Sequence, residues 1–256
     1  MFETLLVEAD GPIGHLTLNR PDTLKPLSTA ALIELAAAAH WFDAQPGVKV
    51  VIVRGAGRAF SAGADLASFT GTTGVSPRDA ADRGREMADA LERMRAVSIA
   101  AIHGWCVGGG LVLAAACDLR IAAEDARFSI PEVDLGIPLA WGGIPRLVRE
   151  IGPALTKELV LTCRPFDAAE AKAAGFLNRV VPSGELEPAA LTLARSLAAK
   201  ASLALSSTKR HVNAVTEQMV GSAHAWSDAD GLVTALHDAE CGEARRAYLD
   251  ARRKRS

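Results

Sequence analysis

None of the four cysteines (Cys106, Cys117, Cys163 and Cys241) falls in a C-x-x-C pair or at metal-ligand spacing. That removes the usual signatures of a zinc site or a redox disulfide, and scattered free thiols suit a reducing compartment, so the chain reads as cytoplasmic. No apolar run approaches the roughly 20 residues of a membrane-spanning helix. The start, Met1-Phe2-Glu3, places an acid where a secretory signal would carry basic residues. A formal net charge of −2 gives no field to gather nucleic acid or an anionic membrane. Short-period repeats, low-complexity tracts and Gly/Pro/Ser linkers are also missing. What remains is 256 residues, 49% apolar and 23% charged, an ordinary globular balance and enough chain for a substantial core.

The hydrophobic pattern points to an α/β core. Thr4–Glu8 and Ile13–Leu18 alternate on either side of Gly11-Pro12, as paired strands do. Ser28 is placed to cap a helix with the apolar stripe Ala31, Leu35, Ala38 and Phe42. Val48–Val53 is a continuous apolar run, the mark of a strand buried on both faces, followed by a glycine-bearing loop and a flexible stretch from Thr70 to Gly74. Ser76-Pro77 opens a second helix with Ala80, Gly84, Met87, Leu91 and Met94 on its inner face. Ile99–Ile102, Gly108-Gly109-Gly110, Leu111–Ala116 and Leu119–Ala122 then repeat the order strand, glycine turn, helix, strand. Parallel pairing follows from that order. From Pro145 onward the chain reads as helical, with Asn178–Val181 the one expected strand.

The two glycine turns carry the first chemical suggestion. In Ala59-Phe60-Ser61-Ala62-Gly63-Ala64-Asp65-Leu66, small residues surround a glycine free to take positive φ, and Asp65 is placed to cap a following helix. Gly108-Gly109-Gly110 ends at a helix start, where unpaired N–H groups favour negative charge. No Gly-Lys-Ser/Thr follows, so this is not a phosphate loop. Either turn alone also fits tight strand-to-helix packing. At the ends of neighbouring strands, however, the two could aim one amide each at a single oxygen, and such a donor is commonly worth about 3 kcal/mol in rate.

Ser61–Leu66, His103-Gly104-Trp105-Cys106-Val107-Gly108-Gly109-Gly110, Cys117-Asp118-Leu119-Arg120, Phe128–Ile137, Gly142-Gly143-Ile144-Pro145-Arg146-Leu147 and Asn178-Arg179-Val180-Val181 occur in this order. Jointly they resemble the crotonase (enoyl-CoA hydratase/isomerase) superfamily, with matches from about residue 2 to residue 182. The resemblance implies a spiral of ββα units over residues 1–195, with a helical oligomerisation region over 196–256 that builds homotrimers or dimers of trimers. It implies an acyl-CoA thioester as substrate, with coenzyme A part of that substrate and no separate cofactor or metal. It places the amides of Ala64 and Gly109 on the thioester oxygen and the main chain near Ala62 and Leu66 at the adenine.

The resemblance also places Glu132 in the slot of a catalytic glutamate; apolar neighbours Ile130, Val133 and Leu135 are expected to raise its pKa. Hydratases of the family carry a second glutamate where Val112 stands here. Hydration needs one carboxylate to activate water and another to deliver a proton, whereas moving a double bond from C3 to C2 needs a single shuttling base. The sequence therefore favours Δ3,Δ2-enoyl-CoA isomerisation over hydration, with a non-catalytic acyl-CoA binding protein as the reading from another class. Ala140 replaces the aspartate of dienoyl-CoA isomerase relatives, which disfavours that reaction. Lys25 is either a contact for CoA phosphate or a solvated lysine, and Trp141 either narrows the acyl pocket or fills core. Asp134 is expected to cap a loop, and His103, Asp118 and Arg120 to be architectural. The basic end, Arg245-Arg246 and Arg252 to Arg255, suits a helix carboxy terminus or a neighbour's CoA phosphates.

Overall fold

The structure, a computed structural model, describes residues 2–19, 27–65, 76–225 and 227–254. Strands β1 (Leu5–Asp10), β2 (Ile13–Leu18), β3 (Val50–Gly55), β4 (Val97–Ile102), β6 (Leu119–Ala123) and β9 (Arg179–Val181) form one sheet in the order β1-β2-β3-β4-β6-β9. β1 is antiparallel to β2 and every other pair is parallel. A second, small sheet holds β5 (Trp105–Val107), β7 (Arg127–Ser129) and β8 (Phe166–Asp167). The helices are α1 (Thr29–Asp43), α2 (Pro77–Arg93), α3 (Gly109–Ala115), α4 (Gly143–Thr162), α5 (Ala168–Ala173), α6 (Leu186–Ala198), α7 (Ser202–Met219), α8 (Asp228–His237) and α9 (Ala239–Arg253).

The crotonase spiral is visible in this order. β4, β5 and α3 make one ββα turn, and β6, β7 and α4 make the next. In the turn before them the bridge Ser61↔Cys106 stands in for a short second strand between β3 and α2. The pairing of β5, β7 and β8 into a small sheet is not legible in the sequence pattern. Strands of two or three residues are too short to display an alternating pattern.

The caps fall where side-chain chemistry puts them. Ser28 Oγ accepts from the Ala31 amide at 3.3 Å, and Ser76 Oγ from the Asp79 amide at 3.1 Å. Because successive strand residues face opposite ways, β3 feeds two cores. Val51 and Val53 pack with Leu35, Phe42, Met87 and Leu91. Val50 and Ile52 pack with Ile99, Ala101 and Ile121 beneath Leu186, Ala190, Ala194 and Ala198 of α6. α6 is thus an integral layer of the fold, and the boundary expected at 195/196 falls inside it. α4 is interrupted at Gly152, where φ is 74° just ahead of Pro153.

The carboxy-terminal helices fold back on this same chain. Lys209 of α7, 8% exposed, donates to the Ala96 carbonyl at 2.9 Å and pairs with Asp118 at 2.7 Å. Ala229, Leu232 and Ala235 of α8 join the main core, and Arg78 of α2 meets Asp230 at 2.7 Å. Asp118 and Arg120 are architectural as expected. Asp118 accepts from the Ser98 amide, and Arg120 donates to the Phe176 and Cys117 carbonyls and pairs with Glu150. Among the described residues no helix is long and apolar enough to cross a membrane.

Candidate active site

The register at Ser61↔Cys106 brings the two glycine turns together. Ser61 N donates to the Trp105 carbonyl at 3.1 Å and Val107 N to the Ser61 carbonyl at 2.9 Å, a parallel pairing. Following both segments onward from that bridge by the same number of residues reaches Ala64 on one and Gly109 on the other. Gly63, at φ 90°, lies so near the second segment that a Cβ there would stand 2.8 Å from the Val107 carbonyl and 3.6 Å from the Gly109 nitrogen.

Each amide is left facing outward by its local bonding. Leu27 N donates to the Gly63 carbonyl at 2.7 Å and Asp65 N donates to the Leu27 carbonyl at 3.0 Å. A parallel bridge of this form uses the groups flanking Ala64 and turns its own N–H to the other side. Gly109 is the first residue of α3, where an N–H has no acceptor within the helix. The preceding Gly108 amide is spent on the Ser129 carbonyl at 2.9 Å, which ties this turn to the strand that leads into Glu132.

Ala64, Gly109, Val112, Glu132 and Trp141 line one cavity of about 30 Å³, with Ile137, Pro138, Leu139, Ala140 and Leu232. Glu132 is 8% exposed and its Oε2 has no hydrogen-bond partner among the described residues. A methyl on Gly108 would overlap Oε1, so the carboxylate packs directly on the Gly108 α-carbon, beside Gly109. Burial pushes the Glu132 carboxyl up to about 7, with its own backbone amide offsetting part of the rise. The upward direction matches the expectation, and Ile130 and Leu135 are buried as expected, but Val133 is 39% exposed and the cavity walls come from Ala64, α3, the segment 137–141 and Leu232. Adjacent residues in this irregular turn point different ways, which chain proximity does not reveal.

Ala62 and Asp65 flank Ala64 without lining the cavity, while Lys25 and Leu66 lie outside the described residues, as do the Thr70–Gly74 stretch and any helix that Asp65 would cap. Asp134 is exposed and turns away, its amide meeting Cys163 Sγ. His103 Nε2 is 2.8 Å from the Gly57 carbonyl, the structural role expected. Leu232 escaped the sequence reading. Its spacing with Ala229 and Ala235 on α8 marks a buried stripe, but nothing local says that the stripe ends at a cavity built by residues 64–141.

Three larger clefts, of about 500, 470 and 370 Å³, lie elsewhere, and in the last Asp82 and Asp89 are paired with Arg85 and Glu217 with Arg149. In the first, Asp118, Glu92 and Glu150 are all paired with lysine or arginine. In the second, Glu187 is paired with Arg54 and Asp125 is exposed. The small cavity holds a buried carboxylate with an oxygen unpartnered among the described residues, the feature that makes it the candidate site.

Residues 8–255 match the enoyl-CoA hydratase/isomerase family. The chain is 38% identical over 219 residues to a probable enoyl-CoA hydratase of Mycobacterium bovis, covering 84% of this chain and 83% of that one. It is 36% identical over 256 residues to the peroxisomal Delta(3,5)-Delta(2,4)-dienoyl-CoA isomerase of Arabidopsis thaliana, covering 93% and 92%. A crystal structure of an enoyl-CoA hydratase from Mycobacterium avium subsp. paratuberculosis superposes with a TM-score of 0.87 at 26% identity, over 95% of this chain and 98% of the other. This chain belongs to the enoyl-CoA hydratase/isomerase family of the crotonase superfamily, and it is an enzyme.

Proposed function

We propose that this enzyme shifts the double bond of a 3-enoyl-CoA to the 2-position, with Glu132 as its single acid and base. The observation that supports this is the cavity lining: among the described residues Glu132 is the one ionisable side chain there, facing Val112 where a hydrating site needs a second carboxylate. The Ala64 and Gly109 amides would hold the thioester oxygen, stabilising the charge that develops as Glu132 takes a proton from C2. Returning that proton at C4 leaves the 2-enoyl product and restores the carboxylate. The chemistry uses no cofactor beyond the coenzyme A that the substrate carries.

Hydration is the second reading, favoured by the hydratase name of the Mycobacterium bovis relative. Hydration of crotonyl-CoA and isomerisation of a 3-enoyl-CoA, measured side by side, separate the two. Isomerisation is expected to be the faster by at least about tenfold, and faster hydration would remove the proposal. The same assay tests the base. Only ionised Glu132 accepts a proton, so kcat/KM is expected to fall about tenfold per pH unit below a midpoint near 7. A profile flat from pH 5 to 8 would exclude Glu132 as the base.

The oxygen-holding geometry has its own test. Gly63→Ala puts a side chain at φ 90° and against the Val107 carbonyl, forcing the two turns apart. Turnover is expected to drop by at least about tenfold, with a stability cost of roughly 1–3 kcal/mol in thermal unfolding. Unchanged turnover would separate this register from catalysis. We also propose a cytoplasmic setting and assembly into homotrimers or dimers of trimers through the carboxy-terminal helices. Val212, Val215 and Met219 of α7, 58%, 46% and 77% exposed, fall at the spacing of one helix face and form an apolar stripe suited to a neighbouring subunit. Light scattering that reports a monomer would remove the assembly.

A further inference from the structure

The cavity that holds Glu132 is closed by one side chain whose size and backbone are both unusual. Trp141 is 4% exposed, with φ 64°. Left-handed backbone is strained for a bulky aromatic and persists where surrounding contacts impose it. Here they are dense. The Trp141 carbonyl accepts from Arg146 at 3.3 Å, and the next amide, Gly142, donates to Asp228 of α8 at 2.8 Å. Arg146 is itself buried and pairs with Asp89 and Glu92 of α2. Side chains from α2, α4 and α8 thus fix the direction in which the indole leaves the main chain.

The indole is wedged between α2 and the start of α3. Its six-membered ring lies against the Gly109 α-carbon and its pyrrole side against the Gly84 α-carbon, so close that a methyl group at either position would overlap it. Gly84 stands in the inner stripe of α2, where the smallest side chain gives the ring a seat. Among the described residues Leu139 and Leu232, with Ile137, Pro138 and Ala140, line the rest of a cavity of about 30 Å³, the order of a single water molecule.

We infer that Trp141, seated on Gly84, is a specificity-determining wall that restricts the enzyme to short-chain enoyl thioesters of about four carbons. The inference rests on the reading of this cavity as the acyl site. A thioester oxygen between the Ala64 and Gly109 amides puts the acyl tail beside Gly109, where the indole already stands. A butenoyl tail already requires Leu139 and Leu232 to give way in a cavity of about 30 Å³, and six further methylenes require a far larger displacement of the wall. Each methylene that a site can bury is worth about fourfold in affinity, so a wall that denies several of them discriminates strongly.

The test compares four-carbon and ten-carbon enoyl-CoA substrates on the parent enzyme, Trp141→Ala and Trp141→Leu. Both kcat/KM and Kd are measured; the shared coenzyme A cancels in the ratio. The parent is expected to favour the four-carbon thioester by at least about 30-fold, and Trp141→Ala to reduce that ratio at least tenfold by improving the ten-carbon substrate. Trp141→Leu, which keeps an apolar filling and protects the fold, is expected to fall between. Equal use of both lengths by the parent, or a ratio unmoved in the variants, overturns the wall while leaving the activity reading intact. A length preference in Kd without isomerisation overturns the activity reading and supports the wall.

Discussion

Glu132→Gln is expected to lower kcat by at least about 10²-fold while the Kd for a saturated acyl-CoA changes by no more than about threefold. Glutamine matches glutamate in shape but cannot accept a proton from C2. The cavity walls, the two outward amides and the Gly108 contact would persist, so ligand binding reports whether the site survives the change. The magnitude follows from general-base catalysis, where a positioned proton acceptor commonly supplies 10² to 10⁴ in rate. A buried glutamate serving only packing would give the opposite split, with turnover following any loss of folded protein and no more. Steady-state kinetics beside calorimetric binding distinguishes the two. Kinetics also separates this enzyme from an acyl-CoA binding protein, for which no parent turnover exists to be lost.

Glu132 should also cost the fold stability as pH rises. Burial holds its carboxyl near 7 against an ordinary 4.5, so between these values the folded protein binds a proton that the unfolded chain releases. Stability therefore falls with increasing pH across that window. The loss is largely complete above pH 7 and reaches about 3 kcal/mol, at roughly 1.4 kcal/mol for each pH unit between the two values. Glu132→Gln removes this titration. The parent is expected to lose about 3 kcal/mol more than the variant between pH 4.5 and pH 8 in denaturant titrations, the other ionisable groups being common to both. Parallel curves would mean that Glu132 ionises as freely in the folded protein as in the unfolded chain. Stability is then given up where the chemistry needs a base that titrates near neutral pH.

Most of the scaffold could be read from the residues. Ser28 and Ser76 cap the helices they were expected to cap, and Val50 to Val53 is buried on both faces as its unbroken apolar run implied. These features are local, set by one capping oxygen or one stripe. Part of the candidate site was legible as a set of residues: Ala64, Gly109, Glu132, Val112 and Trp141 line a common cavity, whereas Ala62 and Asp65 do not. Its walls were not legible. Val133 turns to solvent and Leu232 arrives from a helix nearly a hundred positions later, and no periodicity encodes either. Trp141 was open between wall and core because its left-handed backbone depends on Asp228, Arg146 and the seat at Gly84, three separate elements. The cover that α6 gives β3, β4 and β6 is not encoded locally for a related reason: a helical pattern announces a buried stripe without naming the sheet it covers.

A crystal structure with a non-reacting acyl-CoA bound decides whether the two amides share one oxygen. The thioester oxygen is expected roughly 2.7–3.1 Å from both the Ala64 and Gly109 nitrogens, with C2 facing the Glu132 carboxylate. A thioester seated in any of the larger clefts, or an oxygen that meets neither amide, would rule this geometry out.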